Sequence, residues 1–219
     1  MKKSMRFCVL LTFVVAMSGV CLADLIGVSG PSCYNQDNPP VELGLPIIVP
    51  APPSVLDDDV TTFGQQGFNE AQGVITSKDY QMDYGVWLPA GSWVDSHMIF
   101  LNIPPGTGGA THQNVVWTFS GPILGVMSDS GGLLEAASTV ELGAPTTIYP
   151  TDPYDLRGME KAAALDDYSI IAPNQLLVSM GVGQPGDWIR VVTVVPAPGA
   201  VLLGILGLGV AGVRLRKNA

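Results

Sequence analysis

Cysteine is scarce in this chain, and this scarcity limits how the fold can be held together. Of the three cysteines, Cys8 and Cys21 lie in an N-terminal segment that is predicted below to be removed. Cys33 would then be the single cysteine of the processed chain, so an intramolecular disulfide is excluded and stability must come from packing. Cys33 is expected to act as a small hydrophobic residue. An intermolecular disulfide or a reactive thiol is the alternative, although no basic residue flanks Cys33 to lower its pKa.

Histidine and the common catalytic motifs are also scarce. The chain has two histidines, and it contains no Gly-x-Ser-x-Gly, His-Glu-x-x-His or phosphate-binding loop. His97 follows Asp95 by two residues in a strand-like run, so the two would share a face. They predict either a base with its orienting acid or, more commonly, a polar pair on the wet side of a strand. His112 follows a glycine-rich loop and is expected to be exposed. The hypothesis is that the chain is not an enzyme.

Positive charge is the third shortage. Residues 24–195 keep four of the ten lysines and arginines and all 19 acidic residues, which gives a formal charge of −15. This balance disfavours nucleic acid and anionic membrane surfaces as partners. It is compatible with divalent cations or neutral glycans.

Three carboxylate clusters are candidates for Ca²⁺, which takes several oxygen ligands. They are Asp57–Asp59, Asp152 with Asp155, and Asp166–Asp167. None has EF-hand spacing, and the alternative is that they are turn residues on an acidic surface. Because they are scattered, Ca²⁺ is predicted to have at most a modest effect on stability, and no other cofactor is expected. The tryptophans are at positions 87, 93, 117 and 188. They could stack on sugars, but the simpler interpretation is that each is a core or half-core residue of a strand.

The N-terminus has the order of a secretory signal peptide. A basic start, residues 1–6, precedes a mostly apolar run, residues 7–20, and small residues end it at Ala23. Cleavage after Ala23 is predicted. A lipoprotein site at Cys21 is the competing interpretation, but Val20 stands where such sites carry Gly, Ala or Ser.

The C-terminus combines three features in a fixed order. Val195-Pro-Ala-Pro-Gly199 is followed by an uncharged, glycine-rich apolar run, residues 200–213, and then by basic residues at 214, 216 and 217. The run has no polar face and its glycines weaken a soluble helix, which favours a membrane helix over a buried core helix. The positive-inside rule would hold the basic end in the cytoplasm and the preceding domain outside.

These residues resemble the PEP-CTERM sorting signal of bacteria that make exosortase. Ala197 replaces the usual glutamate between Pro196 and Pro198, before Gly199, so the tail is similar to a Val-Pro-Ala-Pro variant of that signal. The resemblance implies recognition by an exosortase-type membrane protease or transpeptidase, cleavage near Pro196–Pro198, and positioning by Arg214, Arg216 and Lys217. Residues 85–102 also look, more weakly, like exported domains of uncharacterised proteins with this tail.

Four segments are therefore predicted: a signal peptide (1–23), a proline-rich extended lead-in (24–53), an exported domain (54–195) and a sorting signal (196–219). In the domain, apolar runs of strand length alternate with Gly and Pro turns, which is typical of β-structure. The fold class predicted is mainly β, an antiparallel β-sandwich or jelly roll, flanked by a signal helix and a transmembrane sorting helix. A short helix is predicted within residues 131–142. The strands are predicted at 74–76, 84–88, 93–101, 115–119, 123–127, 168–171, 176–180 and 188–195.

Three functions remain open for the exported domain. A structural or adhesive component of the cell surface or extracellular matrix needs no conserved-looking site and is favoured. A glycan-binding module would expose Trp or Tyr beside carboxylates, with extracellular polysaccharide as its partner. An extracellular hydrolase would join His97 or His112 to two carboxylates. The expected localisation is transient anchoring in the inner membrane, followed by the envelope surface or the extracellular space.

Overall fold

The computed structural model describes residues 22–37, 39–57, 59–106, 108–150, 157–161, 165–183 and 186–195. Residues Leu22–Val195 form one compact unit. The signal peptide up to Cys21 and the tail from Pro196 lie outside the described residues, so the predictions on them stay predictions. None of the helices in the described ranges is long and apolar enough to cross a membrane.

The fold is mainly β, as predicted, with two six-stranded sheets and a small hairpin. Sheet 1 contains β1 (Leu25–Ser29), β2 (Cys33–Asn35), β3 (Glu42–Gly44), β10 (Ala110–Phe119), β12 (Asp167–Ala172) and β13 (Gln175–Val182). Sheet 2 contains β4 (Ile47–Ile48), β5 (Gln66–Asn69), β6 (Val74–Ile75), β9 (Trp93–Leu101), β11 (Ile123–Met127) and β14 (Asp187–Val194). The pairs in both sheets are antiparallel except for β4 with β5, which is parallel.

The remaining elements lie outside these sheets. Strands β7 (Tyr80–Gln81) and β8 (Trp87–Leu88) form the hairpin, and a 3-10 turn (Asp83–Gly85) joins them. The helix α1 (Leu133–Leu142) lies inside the range predicted for it. The predicted strand Trp93–Leu101 matches β9, and Ile123–Met127 matches β11. β9 ends in the apolar run 98–101, and β11 directly follows the turn residues Gly121 and Pro122.

The two sheets share one hydrophobic core. Trp117 and Val178 of sheet 1 are buried in the same cluster as Ile99 and Val191 of sheet 2. The indole nitrogen of Trp117 donates a hydrogen bond to Gln65 Oε1 at 3.0 Å. A side chain at Gly67 would place its Cβ 2.6 Å from the Trp117 ring, so this position needs glycine.

The proline-rich segment 24–53 is not an extended lead-in, and this prediction was wrong. It contributes β1, β2 and β3 to sheet 1 and β4 to sheet 2. The prolines lie between these short strands or after the last of them, where no ladder hydrogen bond is required of them. Leu25 and Cys33 are buried in the shared core, so the folded domain includes the segment that precedes Ser54.

The outer face of sheet 2 is also covered. Phe68 and Phe100 on that face pack with Ala144 and Tyr149, which follow α1. Val192 packs in a further cluster on the same side with residues of the β7–β8 hairpin and α1. All of β9 except Trp93 is therefore buried, on both faces.

A buried ion network joins α1 to sheet 2. The guanidinium of Arg190, in β14, donates to both oxygens of Glu70 at 2.7 and 2.8 Å. It also donates to the main-chain oxygen of Glu135, in the first turn of α1, at 2.6 Å, and to Ser138 Oγ at 2.6 Å. The Tyr149 hydroxyl donates to Glu70 Oε1 at 2.6 Å, and Arg157 pairs with the Glu135 carboxylate. Arg190, Glu70 and Glu135 are almost fully buried, so each charge depends on its partner.

The substitution Arg190→Leu is expected to lower the free energy of unfolding by about 3–5 kcal/mol, because it leaves the Glu70 carboxylate buried without its cation. Urea unfolding followed by tryptophan fluorescence measures the change. Lys78→Met removes the same charge from an exposed side chain and should cost less than about 1 kcal/mol. Equal losses in the two variants would contradict the role given to Arg190.

Candidate functional site

Three carboxyl groups from separate parts of the chain meet at one end of the two sheets. Glu160 lies in the segment after α1, Asp166 directly precedes β12, and Asp187 is the first residue of β14. One carboxylate oxygen from each lies within 4.8 Å of the other two. We call these three residues the acidic cluster. Asp166 and Asp187 are buried, and Glu160 is half-buried.

The oxygens of the acidic cluster differ in their hydrogen bonds. Asp166 accepts one from the Glu160 amide at 3.2 Å and one from the Gly181 amide at 2.6 Å. Glu160 Oε1 and Asp187 Oδ2 are buried and receive no hydrogen bond from the residues that the structure describes. Burial, and then the charges of Asp166 and Glu160, raise the pKa of Asp187 well above its ordinary value. Burial and the charge of Asp166 raise the pKa of Glu160 to about 7.

The four cations of residues 24–195 are all engaged elsewhere. Arg157 pairs with Glu135, Arg190 with Glu70 and Glu135, and Lys161 with Asp83. Lys78 lies over the ring of Tyr80, 5.2 Å from its centroid. Among the described residues, therefore, no ion pair compensates the acidic cluster.

A second feature is an open groove between β11 and β12, the edge strands of the two sheets. It has a volume of about 350 Å³, and Tyr84, Leu124 and Ile170 line it. Tyr84 is 79% exposed and has a left-handed backbone, with φ +58°. A bulky residue pays about 1–2 kcal/mol for this conformation. We call this feature the Tyr84 groove.

Polar contacts hold Asp83 and Tyr168, two of the residues that line the Tyr84 groove. Lys161 lies 4.9 Å from the Tyr84 ring centroid and 4.4 Å from that of Tyr168. The Lys161 ammonium donates a hydrogen bond to Asp83 Oδ2 at 2.9 Å. The same oxygen accepts a hydrogen bond from the Tyr168 hydroxyl at 2.8 Å. Burial acts to raise the pKa of Asp83, but hydrogen bonds from Ser128 and Lys161 outweigh it and hold this pKa below its ordinary value. Asp83 is thus a charged group already saturated by protein donors.

The tryptophans divide into two pairs. Trp117 and Trp188 are buried in the core, as expected. Trp93 is 41% exposed, which fits a half-core position. Trp87 is 59% exposed, so the prediction of a core or half-core position was wrong for this residue. It lies in the two-residue strand β8, outside both main sheets, where it has little to pack against.

His97 and Asp95 are not a pair on a wet strand face, because both are fully buried. His97 Nδ1 lies 2.8 Å from Asn69 Oδ1, and its Nε2 lies 3.0 Å from Thr193 Oγ1. Asp95 accepts from the amides of Ala23 and Gly73 instead. The prediction of a wet face failed because sheet 2 is covered on both sides. Burial lowers the pKa of His97 to about 3, so the ring is neutral.

His112 is also buried, and the prediction of an exposed loop histidine was wrong. It lies in β10, which begins earlier than the predicted strand. Its Nδ1 accepts from the Gln65 amide at 2.8 Å, and its Nε2 donates to the Pro31 carbonyl at 2.9 Å. Cys33 is buried as expected, and burial raises its pKa to about 11, which leaves an unreactive thiol.

The other sequence candidates are dispersed or undescribed. Asp59 accepts a hydrogen bond from Ser54 Oγ at 2.6 Å, which is the expected role of a turn residue. Asp167 is exposed in β12 and does not join the acidic cluster, although Asp166 does. Asp152 and Asp155 lie outside the described residues. So do the sorting residues Pro196, Ala197, Pro198, Gly199, Arg214, Arg216 and Lys217.

Ala23, the predicted end of the signal peptide, lies at the start of the described chain. It is fully buried, and its amide donates to Asp95 Oδ2 at 2.5 Å.

Comparison of the chain with protein-family models, characterised proteins and solved structures finds no match. The functional interpretation therefore depends on the residues themselves.

The depressed pKa of His97 predicts a loss of stability in acid. Unfolded His97 takes up a proton below about pH 6.5, whereas the folded ring does not until about pH 3. The free energy of unfolding should therefore fall by up to about 1.4 kcal/mol per pH unit as the pH drops from 6.5 toward 3. Urea unfolding of the wild type and of His97→Gln between pH 4.5 and 7.5 isolates this share, because the variant lacks the titrating ring. Parallel pH curves would contradict it.

Proposed function

We propose that the protein is an exported component of the cell surface or extracellular matrix with a structural or adhesive role. The observation that carries this proposal is the amino-acid sequence of the C-terminal tail. Prolines come first in it, an apolar glycine-rich run follows, and three basic residues come last. The N-terminus, which has the order of a secretory signal peptide, also supports export of the domain across the inner membrane. A formal charge of −15 over residues 24–195 suits a soluble extracellular surface.

In this proposal the folded part is a β-sandwich, in the sense of two packed and mostly antiparallel sheets. The core shared by sheet 1 and sheet 2 supports this description, as do the antiparallel pairs that make up nearly all of both sheets. A filled core and buried, hydrogen-bonded histidines fit a structural module. Among the described side chains, no carboxylate is hydrogen-bonded to the ring of His97 or His112, which counts against the hydrolase hypothesis.

The tail acts in this proposal as a temporary anchor. An exosortase-type protease would cut near Pro196–Pro198, where prolines hold the junction extended and cannot donate hydrogen bonds. The apolar run of 14 residues spans only about 21 Å as a helix, so it depends on basic residues at its cytoplasmic end for its position. The mature chain would then reach the envelope surface or the extracellular polysaccharide.

Mass spectrometry of the surface or secreted protein tests this processing. The expected mature chain begins at Asp24 and ends near Pro196–Pro198, because the junction lies just outside the bilayer. The triple variant Arg214→Ala, Arg216→Ala, Lys217→Ala should accumulate unprocessed at the inner membrane, with an unchanged melting temperature of the domain. Recovery of an intact residue 214–219 terminus from the mature wild-type pool would mean an ordinary single-pass anchor.

Glycan binding is the second candidate, and the Tyr84 groove favours it. An exposed aromatic ring beside apolar walls is a surface on which the apolar face of a sugar ring can stack. Tyr84 keeps a strained left-handed conformation that glycine would adopt at no cost, which fits a functional side chain at this position. Trp87, in the strand after the turn, adds a second exposed ring in the same part of the chain.

Affinity electrophoresis in gels that contain the producing cells' own neutral polysaccharide tests the groove. Tyr84→Ala should weaken binding about five- to tenfold, which corresponds to the loss of about 1–1.4 kcal/mol of stacking. Tyr34→Ala removes a half-exposed tyrosine from β2 and should leave binding unchanged. Absence of retardation for the wild type, or equal loss in both variants, would remove this candidate.

A further inference from the structure

The acidic cluster brings together carboxylates that are far apart in the sequence. Asp187 follows Glu160 by 27 residues, and Asp166 lies between them in a different element. A cluster of acids is by itself common on a protein surface. This one differs because two of its members are buried and because a buried oxygen of Asp187 has no donor.

We propose that Glu160, Asp166 and Asp187 together bind one Ca²⁺ ion. The oxygens are close enough to share one ion, because two oxygens that bind the same Ca²⁺ at about 2.4 Å can be up to about 4.8 Å apart. One oxygen of each residue lies within 4.8 Å of the other two. The site is independent of how the tail is processed.

The second observation is the state of Asp187. Asp187 is 2% exposed, and no donor in the described part of the chain reaches its Oδ2. A buried carboxylate without a donor is costly unless a proton or a cation compensates it. The four described lysines and arginines are held by other partners. A bound cation would supply the compensation that the protein's own side chains do not.

The ligand chemistry selects the type of cation. All three donors are carboxylate oxygens, which suit hard cations and not the softer metals that favour histidine or cysteine. Ca²⁺ accepts six to eight oxygen ligands in irregular geometry, and water or main-chain carbonyls can supply those that the carboxylates do not. Half-buried Glu160 leaves one side of the cluster open to solvent. Mg²⁺ demands a stricter octahedral arrangement and keeps more of its own water, so it should bind less well.

The ion would connect the two sheets at this end. Asp187 begins β14 of sheet 2, whereas Asp166 accepts a hydrogen bond from Gly181 in β13 of sheet 1. Glu160 adds the segment that follows α1. Binding should therefore raise the stability of the whole domain, by an amount that stays within the modest effect predicted from the sequence.

Thermal melts of the full-length chain in mild detergent, stripped with EDTA, test the site. At pH 7.5, Ca²⁺ at about 100 times its Kd should raise the Tm by about 5–10 °C. The same concentration of Mg²⁺ should give a smaller shift. Titration calorimetry with CaCl₂ should show one ion per chain.

Matched variants separate the site from general charge effects. Asp187→Asn should abolish the Ca²⁺-dependent shift and should be at least as stable as the wild type in EDTA, because it removes a carboxyl group whose charged form is disfavoured by burial. Asp167→Asn removes the same charge from the exposed neighbour of Asp166 and should keep the full shift. If Asp187→Asn does not fold, Glu160→Gln replaces it as the test, because its side chain is half-buried.

Three results would overturn the proposal. The first is a wild type that shows neither a Tm shift nor a binding heat at Ca²⁺ concentrations up to about 10 mM. Weak extracellular Ca²⁺ sites have Kd values up to about 1 mM, so such a site would be filled at that concentration. The second is a shift that survives Asp187→Asn, or Glu160→Gln where that variant is used. The third is an EDTA-treated wild type that gains stability on acidification but nothing from Ca²⁺, which would mean that protons alone compensate the cluster.

Discussion

The guanidinium of Arg190 is the group on which the outer layer of this domain depends. It is fully buried in β14, and it holds Glu70 beside sheet 2 and the first turn of α1 above it. A buried ion pair adds little net stability over an apolar contact, but losing one partner is costly. The network therefore acts mainly as a constraint on position. It sets where α1 docks, and through Tyr149 it also orients the segment that follows the helix.

The cover over sheet 2 explains most differences between the predicted and the observed environments. A strand with one wet face alternates polar and apolar residues, whereas β9 is buried on both faces and still carries Asp95, Ser96 and His97. These polar groups are tolerated because partners meet them. His97 bonds to Asn69 and Thr193, and Asp95 bonds to the amide of Gly73 and, in the uncleaved chain, to that of Ala23. Polar residues in this strand thus serve the interior of the domain.

The shortage of cations has a structural consequence as well as an electrostatic one. Arg157 and Arg190 pair with carboxylates in the network under α1, and Lys161 pairs with Asp83. Nothing of opposite charge among the described side chains is left for the acidic cluster. A chain with so few cations can compensate buried carboxylates through protons or metal ions, and the proposed Ca²⁺ site follows from that restriction.

The sequence by itself determined the mainly β character, the positions of β9, β11 and α1, and the acidic balance, because these depend on local runs, turn residues and composition. It did not reveal the strands between the prolines of residues 24–53, since they are two to five residues long and gain their stability from pairing with distant strands. Only the tertiary structure decided that His97 is buried, that Tyr84 is exposed, and that Glu160 and Asp187 meet Asp166. The physical reason is the same in each case. Burial and the assembly of a site depend on which distant segments pack together, and no local pattern of residues records that.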